Sequence, residues 1–333
     1  MRSSAMRRFG RMSGLSLIEL MVALLLGTLV VAAAIGIFLT NRQTYRTTDS
    51  LGRVQENVRT AFELMARDIR EAAGNPCANT VPLVNVLNGA STRWWTNLDT
   101  WGNAMRGYGA TQAFADAGFG TGAGQRLSGT EAIELISSDT NVVTVESHNT
   151  GTASIVVNNA NHGFSAGDLA LVCNPRQAAV FQVSSVVNRT IGHGVAGGAS
   201  PGNCTAALGM PLNCAGGNVF QYSLPSSVVS RLGASRWFIA NNPNQRPSLY
   251  QTRLTSAGPQ TQEVVEGVSA MSFAYLVDGG TSYVNAATVG TNWAAVKAVR
   301  ITMTFTAEPN TGAGGAALQR TLVQVASLRN RNP

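Results

Sequence analysis

An uninterrupted apolar run near the start of the chain constrains its architecture more than any other feature. From Leu20 to Leu39 no residue is charged, and about 20 residues at ~1.5 Å each span the ~30 Å hydrocarbon core of a bilayer. Residues 1–14 contain four arginines and no acidic residue. A secretory signal would have a shorter apolar core that is followed by a small-residue cleavage site. The pattern therefore predicts a retained transmembrane segment at 20–39, with the cut before it, between Gly14 and Leu15.

One acidic residue, Glu19, stands at the head of this run. A charge taken into the bilayer costs roughly 2.5–3.5 kcal/mol and normally has a partner. After a cut behind Gly14, Glu19 would be the fifth residue of a new helix, where an acid suits the positive end of the helix dipole. Its carboxylate would then pair with the N-terminal amine of an adjacent helix. The alternative is an ordinary signal anchor in which Glu19 snorkels to the interface.

The segment GLSLIELM, which begins at Gly14, resembles the signal of type IV pilins and type II secretion pseudopilins. The resemblance implies that a prepilin peptidase cuts after Gly14 and N-methylates Leu15, and that Glu19 docks the subunit into a filament. Leu15 departs from the family pattern, which most often has phenylalanine there. Gly36 replaces the helix-kinking proline of many major pilins, and glycine weakens a helix by about 1 kcal/mol without breaking it.

Composition is typical of an exported protein. Removal of residues 1–14 lowers the formal charge from +7 to +3, so the remaining balance gives no strong argument for nucleic-acid binding. Charged residues make up only 12% of the chain, whereas Gly, Asn, Ser and Thr are abundant. This balance favours a turn-rich β protein over a cytosolic enzyme.

The helical pattern continues beyond the membrane run. Apolar residues recur mostly at three- and four-residue steps, with charged residues on the other side. They are Tyr45, Leu51, Val54, Val58, Ala61, Met65, Ile69 and Ala72. Gly74 begins a Gly-Asn-Pro stop signal, so one helix of about 59 residues is predicted at 15–73. Its second half would pack on a globular head; a free coiled coil is disfavoured because no strict heptad is sustained.

Residues 74–333 are predicted to form a β-rich head with an antiparallel sheet, which makes the fold class α+β and pilin-like. The predicted strands are 131–136, 142–146, 153–157, 168–173, 180–187, 219–224, 237–240, 248–254, 268–277 and 296–306. In the last of these, apolar residues from Val299 to Phe305 alternate with polar ones, the period of a half-buried strand. Glycine-rich stretches at 102–124 and 192–217 are predicted as surface loops.

The head is similar to PilW-type minor pilins. The similar segments are FELMARDIREAAGNPC at 62–77, DLALVCNPRQAAVFQVSSV at 168–186, SLYQTRL at 248–254, EVVEGVSAMSFAYLVD at 263–278 and NWAAVKAVRITMTF at 292–305. Pseudopilin J of type II secretion shares parts of the last two segments, but it is usually shorter and lacks the cysteine hairpin. The resemblance implies a minor pilin that primes assembly in the inner membrane, with its head in the periplasm, and then occupies the pilus tip.

The partners that this resemblance implies are other minor pilins, the major pilin, a tip adhesin, the prepilin peptidase and the inner-membrane assembly platform. Two alternatives stay open: a J-like pseudopilin, and a surface-binding adhesin head on a pilin anchor. Neither the resemblance nor the composition implies a cofactor or a small-molecule substrate.

Four cysteines in an exported chain suggest two disulfides. Cys204 and Cys214 enclose a short loop, whose closure would contribute roughly 3 kcal/mol by chain entropy. Cys77 and Cys173 would then pair and tie the end of the helix to the cysteine hairpin. The alternative is that Cys77 and Cys173 are free buried thiols.

Motifs for catalysis or metal binding are missing from the sequence, which contains no GxSxG, Walker loop, HExxH or suitably placed GxGxxG. Glu131 and Glu134 are interpreted as a solvated strand edge rather than an acid–base pair. Three histidines are placed in polar or glycine-rich loops without ligand spacing, which makes a zinc site unfavoured. They are His148, His162 and His193.

Two further patterns allow a binding interpretation. Asp278-Gly279-Gly280 could bind calcium, but a hairpin turn is the commoner use of such a tripeptide. Trp94, Trp95 and Trp101 could form a ligand-binding patch, although tryptophans that pin a loop to the core are more frequent. Because the sequence contains none of the catalytic motifs named above, it predicts a protein that is not an enzyme.

Overall fold

The computed structural model describes residues 16–78, 80–195, 200–309, 311 and 316–331. Gly14 and Leu15, which flank the predicted cut, lie outside the described residues. Helix α1 runs from Leu17 to Glu71, 55 residues, and at ~1.5 Å per residue it is roughly 80 Å long. A single continuous helix therefore covers most of the predicted range 15–73.

The two halves of α1 have different surroundings. Every residue from Leu17 to Leu39 is exposed. The buried positions lie further along and are Ser50, Val54, Ala61, Phe62, Met65, Ala66 and Ile69. Tyr45, which the sequence pattern placed on the buried stripe, is 82% exposed, because the head contacts the helix only beyond it.

The helix ends slightly before the predicted stop. Glu71 is its last residue, and Ala73 rather than Gly74 takes the left-handed backbone conformation, with a φ of 59°. The Ala73 amide donates to the carbonyl oxygen of Ile136 at 2.9 Å. This bond to strand backbone directs the chain out of the helix and into the head.

In its described residues, the head has fourteen strands and several short helical turns. The strands are β1 Leu83–Asn85, β2 Met105–Tyr108, β3 Ala132–Asn149, β4 Ser154–Val157, β5 Leu169–Cys173, β6 Ala178–Gln182, β7 Ser185–Val187, β8 Thr190–Gly192, β9 Val228–Asn241, β10 Pro247–Thr255, β11 Gly258–Glu266, β12 Val268–Val277, β13 Val296–Thr306 and β14 Gln319–Ser327. The short helices are α2 Ala286–Val289 and 3₁₀ turns at Ala90–Thr92, Trp101–Ala104, Trp293–Ala295 and Arg329–Arg331.

The strands form two sheets. The larger has the order β1-β6-β5-β9-β3-β4-β8-β7, with β10 and β11 attached through β9 and with β2 attached to β3. The smaller is the antiparallel order β12-β13-β14. Only β1 and β6 pair in parallel among the named strands. The antiparallel sheet predicted from the sequence is thus confirmed.

Of the four apolar clusters among the described residues, the two largest lie in different regions of the molecule. The helix-backed core joins α1 to β9–β14, with Met65, Ile69 and Phe305 nearly or fully buried. The β4–β8 core lies elsewhere in the head and contains Ile155 and Phe181. In β13 the residues Val299, Ile301, Met303 and Phe305 are all buried, which confirms the alternation predicted there.

Several boundaries differ from the sequence prediction. Segments 131–136 and 142–146 are one long strand, β3, with a register shift between Ser138 and Val142. Segment 219–224 is not a strand; it is held by side chains, and the Tyr222 amide donates to Nδ1 of His148. The glycine-rich stretches are not plain surface loops, because 102–124 contains β2 and 192–217 contains the fully buried His193.

Candidate functional site

The first half of α1 is the most unusual surface of the molecule. Among the described residues, α1 is the one helix long and apolar enough to cross a membrane. Its leucine, valine and isoleucine side chains between Leu17 and Leu39 face away from any packed core. Exposed apolar area of this size normally marks a membrane or protein contact.

Glu19 lies at the start of this surface. The Glu19 amide donates to Oγ of Ser16 at 3.3 Å, and the Ser16 amide donates back to the Glu19 carboxylate at 3.4 Å. This is a capping box, which satisfies two amides that the first helical turn leaves without partners. The capping role of Ser16 was not predicted, although the Ser-x-x-Glu spacing before an apolar run is its signal.

The second half of α1 is fixed to the head by polar contacts as well as by apolar packing. Asp68 accepts hydrogen bonds from Nε1 of Trp237 and Nε2 of Gln251, each at 2.9 Å. Asn57 donates to the carbonyl oxygen of Glu266 at 3.2 Å. Because these bonds reach β9, β10 and β11, the head holds the helix in a defined orientation.

Both disulfides lie outside the helix-backed core. The bond Cys77–Cys173 spans a sequence separation of 96 and joins the chain just after α1 to the end of β5. The bond Cys204–Cys214 closes a loop with a separation of 10. In the turn after β5, Oδ1 of Asn174 accepts from the Arg176 and Gln177 amides, which builds the hairpin predicted there.

Glu131 and Glu134 do not form the solvated edge that the sequence suggested. Glu134 is buried, its carboxylate lies 2.6 Å from Nη2 of Arg236, and it accepts a hydrogen bond from Tyr108 Oη at 2.7 Å. The Glu131 carboxylate accepts from the Phe273 amide at 2.6 Å. Burial raises the pKa of both carboxyl groups, although Arg236 opposes this shift at Glu134. The partner, Arg236, is 102 positions away in the sequence, which no local pattern reveals.

Among the three histidines, His148 lies in a strand rather than in the predicted loop, whereas His162 and His193 lie outside the strands, as predicted. His148 lies in β3, and its Nε2 atom is 3.0 Å from Nε2 of His193. Since Nδ1 of His148 accepts from the Tyr222 amide, its Nε2 carries the proton and donates to His193. Burial lowers the pKa of His148 to about 4 and that of His193 to about 3. Within the described part of the chain, no three metal-ligating side chains gather.

The remaining candidate patches are structural. Trp95 and Trp101 are buried with Leu98, as expected of tryptophans that pin a loop. Asp278 forms a 2.8 Å ion pair with Lys297, and Gly279 next to it has a φ of 74°, as in a turn. Trp94 is different, because it is only partly buried and stacks on Arg236.

Comparison with known families identifies the helix-backed part of the head. Residues 236–328 match the family model of PilW, type IV pilus-assembly protein W. This segment of the head is similar to the PilW family of type IV pilus-assembly proteins. The matched segment covers less than a third of the chain and begins at Arg236 in β9, so it contains most of the strands that pack on α1, but not β3. No curated protein and no solved structure matches the chain.

Proposed function

We propose that this protein is a minor pilin that primes assembly of a type IV pilus and is incorporated at the pilus tip through α1. The observation that carries the proposal is the combination of the PilW match with a helix whose first half is bare and apolar. A helix that only supported the head would end where its packing ends. Instead, α1 continues for more than six turns as exposed apolar surface.

The apolar half of α1 holds the subunit in the inner membrane before assembly and packs in the filament afterwards. In the inner membrane its side chains contact lipid tails, with the arginine-rich leader inside and the head in the periplasm. In a filament the same side chains pack against the helices of other pilins. Because both environments are apolar, transfer between them exposes little of this surface to water. The two disulfides suit a head that folds in an oxidising compartment.

Glu19 sets the axial position of the subunit relative to its neighbours in the filament. After cleavage behind Gly14, the amine of Leu15 would lie close to the capping box that Ser16 and Glu19 form. The box holds the carboxylate beside the first helical turn, where the amine of a neighbouring pilin can reach it. An unpaired carboxylate is costly in apolar surroundings. The ion pair between Glu19 and the neighbouring amine therefore forms at one axial position and opposes sliding of one helix along the other.

A J-like pseudopilin and a pilin-anchored adhesin are the other candidates. The disulfide-bonded hairpin after β5 favours the PilW-type pilin over the shorter J-like protein. Genes for other pilin-like proteins and an adhesin beside this one would support the pilin, and secretion-pathway genes would support the pseudopilin.

Processing is the first test. We expect the mature protein to begin at Leu15 and to carry an N-methyl group, as measured by mass spectrometry of the intact chain. Gly14→Ala should be cut poorly and Gly14→Val not at all, whereas Ser13→Ala, one residue earlier, serves as the matched control and should be cut normally. An intact leader in the wild type, or a cut beyond Leu39, would contradict the proposal.

A further inference from the structure

An open cavity in the head has the composition of a ligand site. It has a volume of about 290 Å³ and lies among β2, β3, β9 and the turn that begins at Trp293. Trp94, Asn97, Asn103, Arg106, Glu134 and Arg236 contribute to its lining. The volume is close to the lower end of natural ligand pockets, which suits one small ring rather than an extended peptide.

The inner wall of the cavity is a rigid charged cluster. Arg236 is only 5% exposed and contacts Glu134 at 2.6 Å and Asp116 at 2.8 Å. Its guanidinium lies 4.5 Å from the Trp94 ring centroid and 3.9 Å from that of Phe114. Buried ion pairs contribute little net folding free energy, since the cost of desolvation offsets much of the attraction. A preorganised cluster of this kind is better suited to recognition, because its groups are already ordered.

The outer wall presents polar groups that have no partner. In the described part of the chain, the side-chain amides of Asn97 and Asn103 make no hydrogen bond. The Cζ atom of Arg106 lies 5.2 Å from the centroid of the Tyr108 ring. Among the described residues, no carboxylate lies within ion-pairing distance of Arg106. Two planar amides and one guanidinium are therefore free to bind a molecule in the cavity.

We infer that this cavity binds an acidic sugar. Neighbouring hydroxyl groups of a sugar ring can donate to and accept from planar amides, and the apolar face of the ring packs on an aromatic side chain such as Trp94. Arg93 also lines the cavity, so three arginines face two carboxylates, Glu134 and Asp116. Because Glu134 and Asp116 are both paired with Arg236, Arg93 and Arg106 carry the unpaired positive charge. Arg93 donates to the carbonyl oxygen of Asn88, so Arg106 is the arginine that would pair with the carboxylate of the sugar.

Sugar binding can be tested independently of the pilin role, since the cavity lies in the head and shares no residue with the first half of α1. A neutral sugar would not use Arg106. The alternative is that the cavity receives a side chain from another pilus protein. In that case it would not bind free sugars. Binding of acidic sugars by the wild type therefore distinguishes these cases.

The test uses the full chain in a zwitterionic detergent without a sugar headgroup. Binding of D-galacturonate, D-glucuronate and N-acetylneuraminate is measured by saturation-transfer NMR titration, with D-galactose as the neutral probe. We expect at least one acidic sugar to bind about tenfold more tightly than galactose. The double variant N97A/N103A should lose at least tenfold in affinity, and Arg106→Gln should abolish the preference for the acid.

Matched controls are Asn244→Ala and Arg320→Gln, which are exposed positions outside the cavity. Both should bind as the wild type does, and all variants should have the same melting temperature. The proposal is overturned if none of the three acidic sugars binds, if galactose binds equally well, or if the cavity variants keep wild-type affinity while they remain folded.

Discussion

The helix-backed region of the head, β9–β14 with the second half of α1, is built differently from the region around β4–β8. In the first, strands of nine to fourteen residues pack on a helix, and no cysteine is present. In the second, strands of three to five residues are mostly connected by turns of two to four residues, and both disulfides lie in or next to this region. The PilW match covers the strands of the first region from Arg236 onward and no part of the second.

The difference has a physical origin. Long strands on a helix bury enough apolar surface to be stable by packing alone. Short strands bury less, and the β4–β8 region compensates with covalent and polar links. Gln182 and Asn203 exchange hydrogen bonds between side chain and backbone at 2.7 and 2.8 Å, and Gln177 donates to Tyr222 Oη at 2.9 Å. The PilW match therefore covers strands that pack near the helix, and the β4–β8 region lies outside it.

The largest effect should come from removing the long-range disulfide. Cys77→Ser with Cys173→Ser opens a loop with a sequence separation of 96, which should cost about 5 kcal/mol of unfolding free energy. The double serine variant at Cys204 and Cys214 opens a loop with a separation of 10 and should cost about 3 kcal/mol. Urea unfolding of the oxidised chain measures both values. An equal cost for the two bonds would contradict the loop-length argument.

Hydrogen exchange should localise that effect. In the Cys77/Cys173 variant we expect faster exchange in β5 and β6, while β12 and β13 stay protected, because the helix-backed core has no covalent link to lose. Uniform loss of protection across both regions would show that they unfold as one unit and would remove the distinction between them.

A cavity in the helix-backed core should have the next largest effect. Met65 is fully buried against the head, so Met65→Ala should cost about 2–5 kcal/mol of unfolding free energy. Leu64, its neighbour, is 41% exposed, and Leu64→Ala should change stability by less than about 1 kcal/mol. The same urea assay tests both variants. Similar costs for the two would mean that α1 does not pack as described.

The smallest effect concerns pH and the β4–β8 region. The pKa values of His148 and His193 are lowered to about 4 and about 3, so below pH 6.5 the unfolded chain binds protons that the native state does not. Stability should therefore fall as pH decreases from 7 to 5, by on the order of 2 kcal/mol. His148→Gln should reduce this slope, whereas His162→Gln, the matched control, should retain it. A slope unchanged in His148→Gln would exclude the pair as its cause.

Local periodicity allowed α1 and the strands β10, β12 and β13 to be predicted, because each presents one apolar face to a core over many residues. The strands β1, β2 and β8 have three or four residues and give no such signal. Strand β14 was missed because it lies at a sheet edge with Val323 and Val325 exposed. Contacts such as Glu134 with Arg236, or His148 with His193, join distant parts of the chain and could not be predicted locally.

The central claim is that Glu19 docks this subunit into a filament, and one variant pair tests it directly. Glu19→Ala should leave the protein stable and membrane-inserted, because loss of the carboxylate removes a penalty for insertion. Glu63→Ala is the matched control, since it removes an exposed carboxylate from the second half of the same helix. The measurement is the subunit content of sheared pili, and the number of pili, in strains that carry only the variant copy. We expect Glu19→Ala to lower both severalfold while Glu63→Ala changes neither; wild-type incorporation of Glu19→Ala would contradict the docking role and favour a simple anchor.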